Sequence, residues 1–120
     1  MQRTACYGTC PQYTISVYCD GTIKYDGKLF VEKIGCFYST INHDQVRAIK
    51  TLIDEISFFN LSQKYDAPIT DIPSVVTKVN LDGKKHQIID RYKGPMVLKK
   101  LYALLDSSFY QANSNWRFCD

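Results

Sequence analysis

Tyr13-Thr14-Ile15-Ser16-Val17-Tyr18-Cys19-Asp20-Gly21-Thr22-Ile23-Lys24-Tyr25-Asp26 decides the fold class. Tyr13, Ile15 and Val17 alternate with Thr14, Ser16 and Tyr18, the period of a half-buried strand. After Asp20-Gly21, Ile23 and Tyr25 repeat the pattern. A two-residue turn would set Val17 against Lys24 and oppose the apolar faces. A three-residue loop, Cys19 to Gly21 with Gly21 left-handed, sets Val17 against Ile23 and Ile15 against Tyr25, and is the register expected. The chain therefore opens its regular structure with an antiparallel hairpin, which points away from a βαβ parallel sheet.

A third strand falls within Lys28 to Ile41, with a bulge or bend near Gly35. Ile41-Asn42-His43-Asp44-Gln45-Val46 then marks a helix start: Asn42 as N-cap, Gln45 closing a capping box, and Ile41 stapled onto Val46. Val46, Ile49, Leu52, Ile53 and Ile56 continue at helical spacing to about Phe58. Residues 59–73 show no periodicity and contain Pro68 and Pro73; a connection that long is usually functional or mobile. Ser74 to Leu81 and Lys84 to Tyr92 form a second hairpin through Asp82-Gly83. Pro95 stands at the first position of a last helix whose stripe is Leu98, Leu101, Leu105 and Phe109. The expected fold is a single α+β domain over residues 1–120, ordered βββαββα, with a mostly antiparallel sheet and both helices packed on one face. Residues 1–12 are read as a cysteine-containing loop and 111–120 as a C-terminal tail.

A chain of 120 residues, 45% hydrophobic and 22% charged, can bury a core without a metal or disulfide to hold it. Its net charge of +3 is spread along the sequence, which argues against a nucleic-acid partner. No apolar run is long enough to span a membrane. With no signal segment after Met1 the chain reads as soluble and cytoplasmic, or as an envelope or secreted protein if it is a processed fragment. Five cysteines, Cys6, Cys10, Cys19, Cys36 and Cys119, make an odd set. The expectation is a mainly reduced protein, in which only Cys6 and Cys10 lie close enough in sequence to bridge readily.

Arg3-Thr4-Ala5-Cys6-Tyr7-Gly8-Thr9-Cys10-Pro11-Gln12-Tyr13 is the most chemically loaded stretch. Its two cysteines, separated by three residues, suit a small disulfide ring, two free thiols or a pinched soft metal ion. A reactive thiol would need a neighbouring cation, for which Arg3 is the nearest candidate. A metal site needs more ligands than these, and His43 and His86 stand at no recognised spacing, so no metal and no cofactor are expected. Asp71 either caps backbone N–H groups in a turn, or holds the cysteine loop or polarises a ligand there. Nine tyrosines exceed what a core requires, and Tyr7 inside the cysteine loop is hard to bury without a second surface.

The opening stretch resembles a bacterial domain family of unknown function whose members carry an R-x-x-C-x-G-x-C-P-x-Y motif, a strand ending in D-G-T, and a later D-x-P. The matching residues are Arg3, Cys6, Gly8, Cys10, Pro11 and Tyr13, then Asp20, Gly21 and Thr22, then Tyr65, Thr70, Asp71 and Pro73, then Tyr92, Gly94 and Pro95, and the likeness reaches about Leu105. It implies no activity, substrate or cofactor. Members often look like envelope or secreted proteins; this chain departs from them in its additional Cys19, Cys36 and Cys119 and in having no signal segment.

Two functions follow as expectations. The first is a binding or interaction module for a small molecule or protein, its surface formed where the Cys6 to Cys10 loop meets the Tyr65 to Pro73 loop, with Arg3, Cys6, Tyr7, Gly8, Cys10, Tyr65 and Asp71 as binding residues. The alternative is a thiol-dependent enzyme or redox switch using Cys6 or Cys10. The sequence offers no acid, base and nucleophile set to name a reaction, and leaves the oligomeric state open.

Overall fold

The structure, a computed structural model, describes residues 1–112 and 115–119. Eight strands form one sheet in the order β5-β7-β6-β1-β2-β3-β4-β8, antiparallel except where β5 meets β7. The strands are β1 (Gln2–Arg3), β2 (Gln12–Val17), β3 (Thr22–Leu29), β4 (Gly35–Thr40), β5 (Lys64–Tyr65), β6 (Val75–Leu81), β7 (Lys84–Asp90) and β8 (Arg117–Phe118). Helices α1 (His43–Glu55) and α2 (Met96–Gln111) complete the α+β fold.

The first hairpin has the expected register, Val17 opposite Ile23 and Ile15 opposite Tyr25. Gly21 sits at φ 93°, and its carbonyl accepts from Ile41 N–H at 2.8 Å. A side chain there would strike the Ile41 carbonyl, so the turn requires glycine both for its dihedral and for its space. Asn42 and Gln45 exchange both capping-box bonds, at 2.9 and 3.0 Å. The second hairpin turns through Asp82 and Gly83, both at positive φ, as a two-residue turn of the type that follows strand twist demands.

Inward-facing Ile15, Ile23, Tyr25, Phe37 and Ile88 pack against Val46, Ile49 and Ile53 of α1 and Leu98, Leu101 and Leu105 of α2 in one core, with both helices on the same sheet face. Tyr25 stacks on Phe109, ring centroids 4.4 Å apart.

Several expectations need correction. The segment read as a loop over 1–12 contains β1, which lies between β2 and β6 and joins the two hairpin systems. Lys64–Tyr65 in the aperiodic connection pairs in parallel with β7. The C-terminal tail carries β8 on the edge of β4, while its residues 113, 114 and 120 lie outside the described residues. Helix α1 ends at Glu55, not near Phe58, because Ser57 turns left-handed at φ 53° before a 3-10 turn over Phe58–Asn60. Pro95 is the N-cap of α2, one residue ahead of the position expected. The expectation that Cys36 and Cys119 stay unpaired is also overturned: they form a disulfide across 83 positions, with Cys119 N–H donating to the Cys36 carbonyl at 3.0 Å. Pairing of β8 with β4 brings the two residues together, a neighbourhood that sequence separation hides. Among the described residues no helix is long and apolar enough to cross a membrane.

Candidate functional site

Cys6 and Cys10 are joined in a disulfide, Cα atoms 5.7 Å apart. Gly8 lies between them at φ 139°, and Tyr7 projects from the ring with 89% of its surface exposed. With both sulfurs in the bond, neither is a thiolate. Arg3, the expected activating cation, points elsewhere.

The ring is tied to the second loop by its backbone. Tyr7 N–H donates to the Asp71 carbonyl at 3.1 Å, and Thr4 N–H donates to the Ser74 carbonyl at 3.0 Å. Ser74 N–H returns a 2.8 Å bond to Thr4 Oγ1. Asp71 itself is left-handed, φ 61°, a conformation that aspartate tolerates better than most residues. Its contact with the ring runs through its carbonyl oxygen, and its side chain is exposed. The loop is held by the Asp71 backbone and not by the carboxylate for which that role was considered.

Tyr65 anchors the other end of this loop. Its carbonyl accepts from Arg91 N–H at 2.8 Å and Tyr92 N–H at 3.1 Å, and its hydroxyl accepts from Ser62 N–H at 3.1 Å. Arg91 reaches back to pair with Asp66 and to donate to the Ile69 carbonyl at 2.7 Å. The Ala67 backbone N–H, and then Arg91 and Lys64, hold the Asp66 carboxyl below the usual carboxylate range.

Arg3 turns from β1 toward α2. Its Nε donates to Tyr13 Oη at 2.7 Å and its Nη2 to Asp106 Oδ2 at 2.9 Å; Tyr13 Oη donates to Asp106 Oδ1 at 2.6 Å. Burial works against the Arg3 charge, but Tyr13 and Asp106 outweigh it and the guanidinium stays above its ordinary pKa. Burial pushes the Tyr13 hydroxyl up, and the bond to Asp106 adds to the shift. A parallel arrangement stands beside it: Tyr102 Oη donates to Asp90 Oδ2 at 3.0 Å, and Gly94 N–H donates to Asp90 Oδ1 at 3.1 Å. Arg3, Asp106, Tyr102, Asp90 and Gly94 border a cavity of about 480 Å³ that also takes in Pro73, Tyr92, Lys93 and Lys99.

The structure thus brings Cys6, Tyr7, Gly8, Cys10 and Asp71 together at the meeting of two loops, places Tyr65 at the far end of the second loop, and turns Arg3 into the cavity against α2. Sequence reasoning missed Asp90, Tyr102 and Asp106. A signal was present: Tyr102 and Asp106 lie four apart on the stripe that buries Leu101 and Leu105, where an acid needs a partner. His43 is exposed in the first turn of α1, and His86 Nε2 lies 2.8 Å from the Leu61 carbonyl with its ring edge-on to Phe58. Among the described residues no three histidine, cysteine or acidic side chains gather as a metal site would need.

The fold and the site define an α+β domain with a disulfide-closed loop tied to the loop that precedes β6. The chain belongs to the family described as a domain of unknown function, DUF6438, which matches residues 1–109. No curated protein and no solved structure matches it.

Proposed function

We infer that the domain is a binding module, whose surface is the meeting of the Cys6 to Cys10 ring with the Tyr65 to Pro73 loop and the cavity beside Pro73. The observation that carries this reading is Tyr7, a large ring held almost wholly in solvent on a loop fixed by a disulfide and by the Asp71 carbonyl. A rigid, exposed aromatic gives contact area at little entropic cost on binding. Ile69 and Tyr92 are exposed on the second loop and at the end of β7. Among the described residues no acid pairs with Lys93 or Lys99. The partner that suits this surface presents an apolar or aromatic group to Tyr7 and an acidic group to the cavity. Two disulfides favour an oxidising location, the envelope or outside the cell.

The test is an amide-shift titration with benzoate and 4-hydroxyphenylacetate as probes, on the oxidised protein and on Tyr7→Ala. Saturable shifts at Tyr7, Ile69, Asp71, Tyr92 and Lys93 that weaken in the variant support the reading. Shifts confined to other elements, or none, overturn it.

A further inference from the structure

The helices cover one face of the sheet and leave the other open. Directly opposed residues of neighbouring strands point to the same side, and successive residues of one strand to opposite sides. Ile15, Ile23, Tyr25, Phe37 and Ile88 lie under the helices, so the residues that alternate with them form the open face. Among these are Lys24 and Lys28 of β3, Lys64 of β5, Lys78 of β6, Lys85 of β7 and Arg117 of β8. All are exposed. Asp26 is the one acid among the described strand residues that shares their side. The chain scatters fifteen basic and twelve acidic residues along its length, yet strand alternation gathers six of the former and one of the latter on a single face.

Those charges are not consumed within the fold. Lys64 pairs with Asp66 at 3.5 Å, whereas Lys24, Lys28, Lys78 and Lys85 have no ion-pair partner among the described residues. Asp20 and Asp82 sit in the hairpin turns at one end of the face. The face is also broad. Seven strand spacings carry the sheet across roughly 34 Å, in line with the 33 Å width of the molecule; the strands and their loops run along its 41 Å, and 21 Å is left for sheet and helices together. The molecule is a slab, and the basic face is one of its two large sides.

The spread of the cations narrows the partner. Lys64 and Arg117 stand on the two edge strands, with Lys85, Lys78, Lys24 and Lys28 between them, so the positive charge covers an area and does not follow a line. Single-stranded nucleic acid wants a track of exposed rings for its bases, and Tyr38, half-buried, is the one aromatic of the described strand residues turned this way. Tyr38 lies between Lys24 and Arg117 in a single cross-strand row, an arrangement that suits a headgroup layer: the ring rests at the interface and the long basic stems reach phosphates. The two disulfides favour an oxidising compartment, which also points away from nucleic acid. We propose that the open face of the sheet docks the protein flat on a bilayer rich in anionic phospholipid, with Lys24, Lys28, Lys78, Lys85 and Arg117 against the headgroup phosphates.

The experiment sediments the oxidised protein with vesicles of phosphatidylcholine alone and of phosphatidylcholine with about 30% phosphatidylglycerol, in salt from about 0.05 M to about 0.5 M. Expected are saturable binding to the anionic vesicles and at least tenfold weaker binding to the neutral ones and at the higher salt. The double variant Lys24→Glu, Lys78→Glu loses at least tenfold, whereas Arg47→Glu, Lys100→Glu, an equal change of charge on the exposed sides of the helices, loses less than threefold. Acetylation footprinting of the unaltered protein gives a second reading that needs no variant: anionic vesicles shield Lys24, Lys78 and Lys85 and leave Lys100 reactive. Absence of binding, equal loss in the two double variants, or shielding of Lys100 in place of the sheet lysines overturns the proposal. So does tighter binding of heparin or single-stranded DNA than of the vesicles, since the partner is then a linear polyanion.

Discussion

Tyr13 and Asp106, 93 positions apart, share a 2.6 Å hydrogen bond, and Arg3 grips both. The three tie β1, β2 and α2 in one knot, so two residues of the opening sequence motif are committed to the body of the fold while the disulfide ring between them holds Tyr7 in solvent. Replacing Asp106 by alanine leaves a partly buried guanidinium and a phenol without their acceptor. We expect a loss of about 2 kcal/mol in urea unfolding, the scale of a hydrogen bond to a charged group. In a double-mutant cycle the loss shrinks when Arg3 is already methionine.

Removing the Cys36–Cys119 bond should cost more than removing Cys6–Cys10. Chain-entropy reasoning gives roughly 4–5 kcal/mol for a closure of this length and roughly 2 kcal/mol for the small ring. Guanidinium unfolding of Cys119→Ser and Cys10→Ser compares them directly. Alkylation of the native protein should add one label, at exposed Cys19; three or more labels would contradict the pairing.

Gly94→Ala places a methyl group where the Asp90 carboxylate sits. The carboxylate must move, and the bonds from Gly94 N–H and Tyr102 go with it. A loss of about 3 kcal/mol is expected, larger than that of Tyr102→Phe, which removes one bond to the carboxylate of about 1.5 kcal/mol and leaves the packing.

Tyr7→Ala should change stability by less than about 0.5 kcal/mol, because the ring is exposed and nothing in the core depends on it. An unfolding midpoint that moves by several degrees would show that the ring has a structural task.

Acid should loosen the second loop first. Asp66 titrates below its unfolded value of 3.8, so the folded state holds its proton less tightly than the unfolded chain. Its contribution is complete above that value and is lost as pH falls through the lower folded pKa. Following the Ala67 and Arg91 resonances from pH 6 to pH 2 checks this; resonances that move only above pH 4 would contradict it.

The hairpin register, the capping box and both helical stripes were legible because each is written within a dozen residues. Val17 against Ile23 follows from keeping apolar faces together, and Asn42 with Gln45 from a spacing of three. What escaped is long-range or very short. β1, β5 and β8 have two residues each, too few for any period, and exist because a longer strand offers an edge. The early stop of α1 at Ser57 shows no breaker residue in the sequence. The meeting of the two loops was anticipated from the motif residues that cluster in both, whereas the turn of Arg3 toward Asp106 depends on where α2 comes to rest.

The position of β1 between the two hairpin systems has a consequence for how the protein assembles. On one side of it stand β2, β3 and β4 followed by α1; on the other, β6 and β7 followed by α2. Each set is joined by local connections and brings its own helix, so each can begin to form with little loop-closure entropy. Among the described residues they are united in the sheet by β1, whose Gln2 and Arg3 find Val76 and Val75 more than seventy positions away. The halves are held together not by that join alone but by the bonds of Tyr13 to Asp106, the stacking of Tyr25 on Phe109, the Cys36–Cys119 bridge and the contact of α1 with α2, so cooperativity between them is carried largely by side chains outside the sheet ladder.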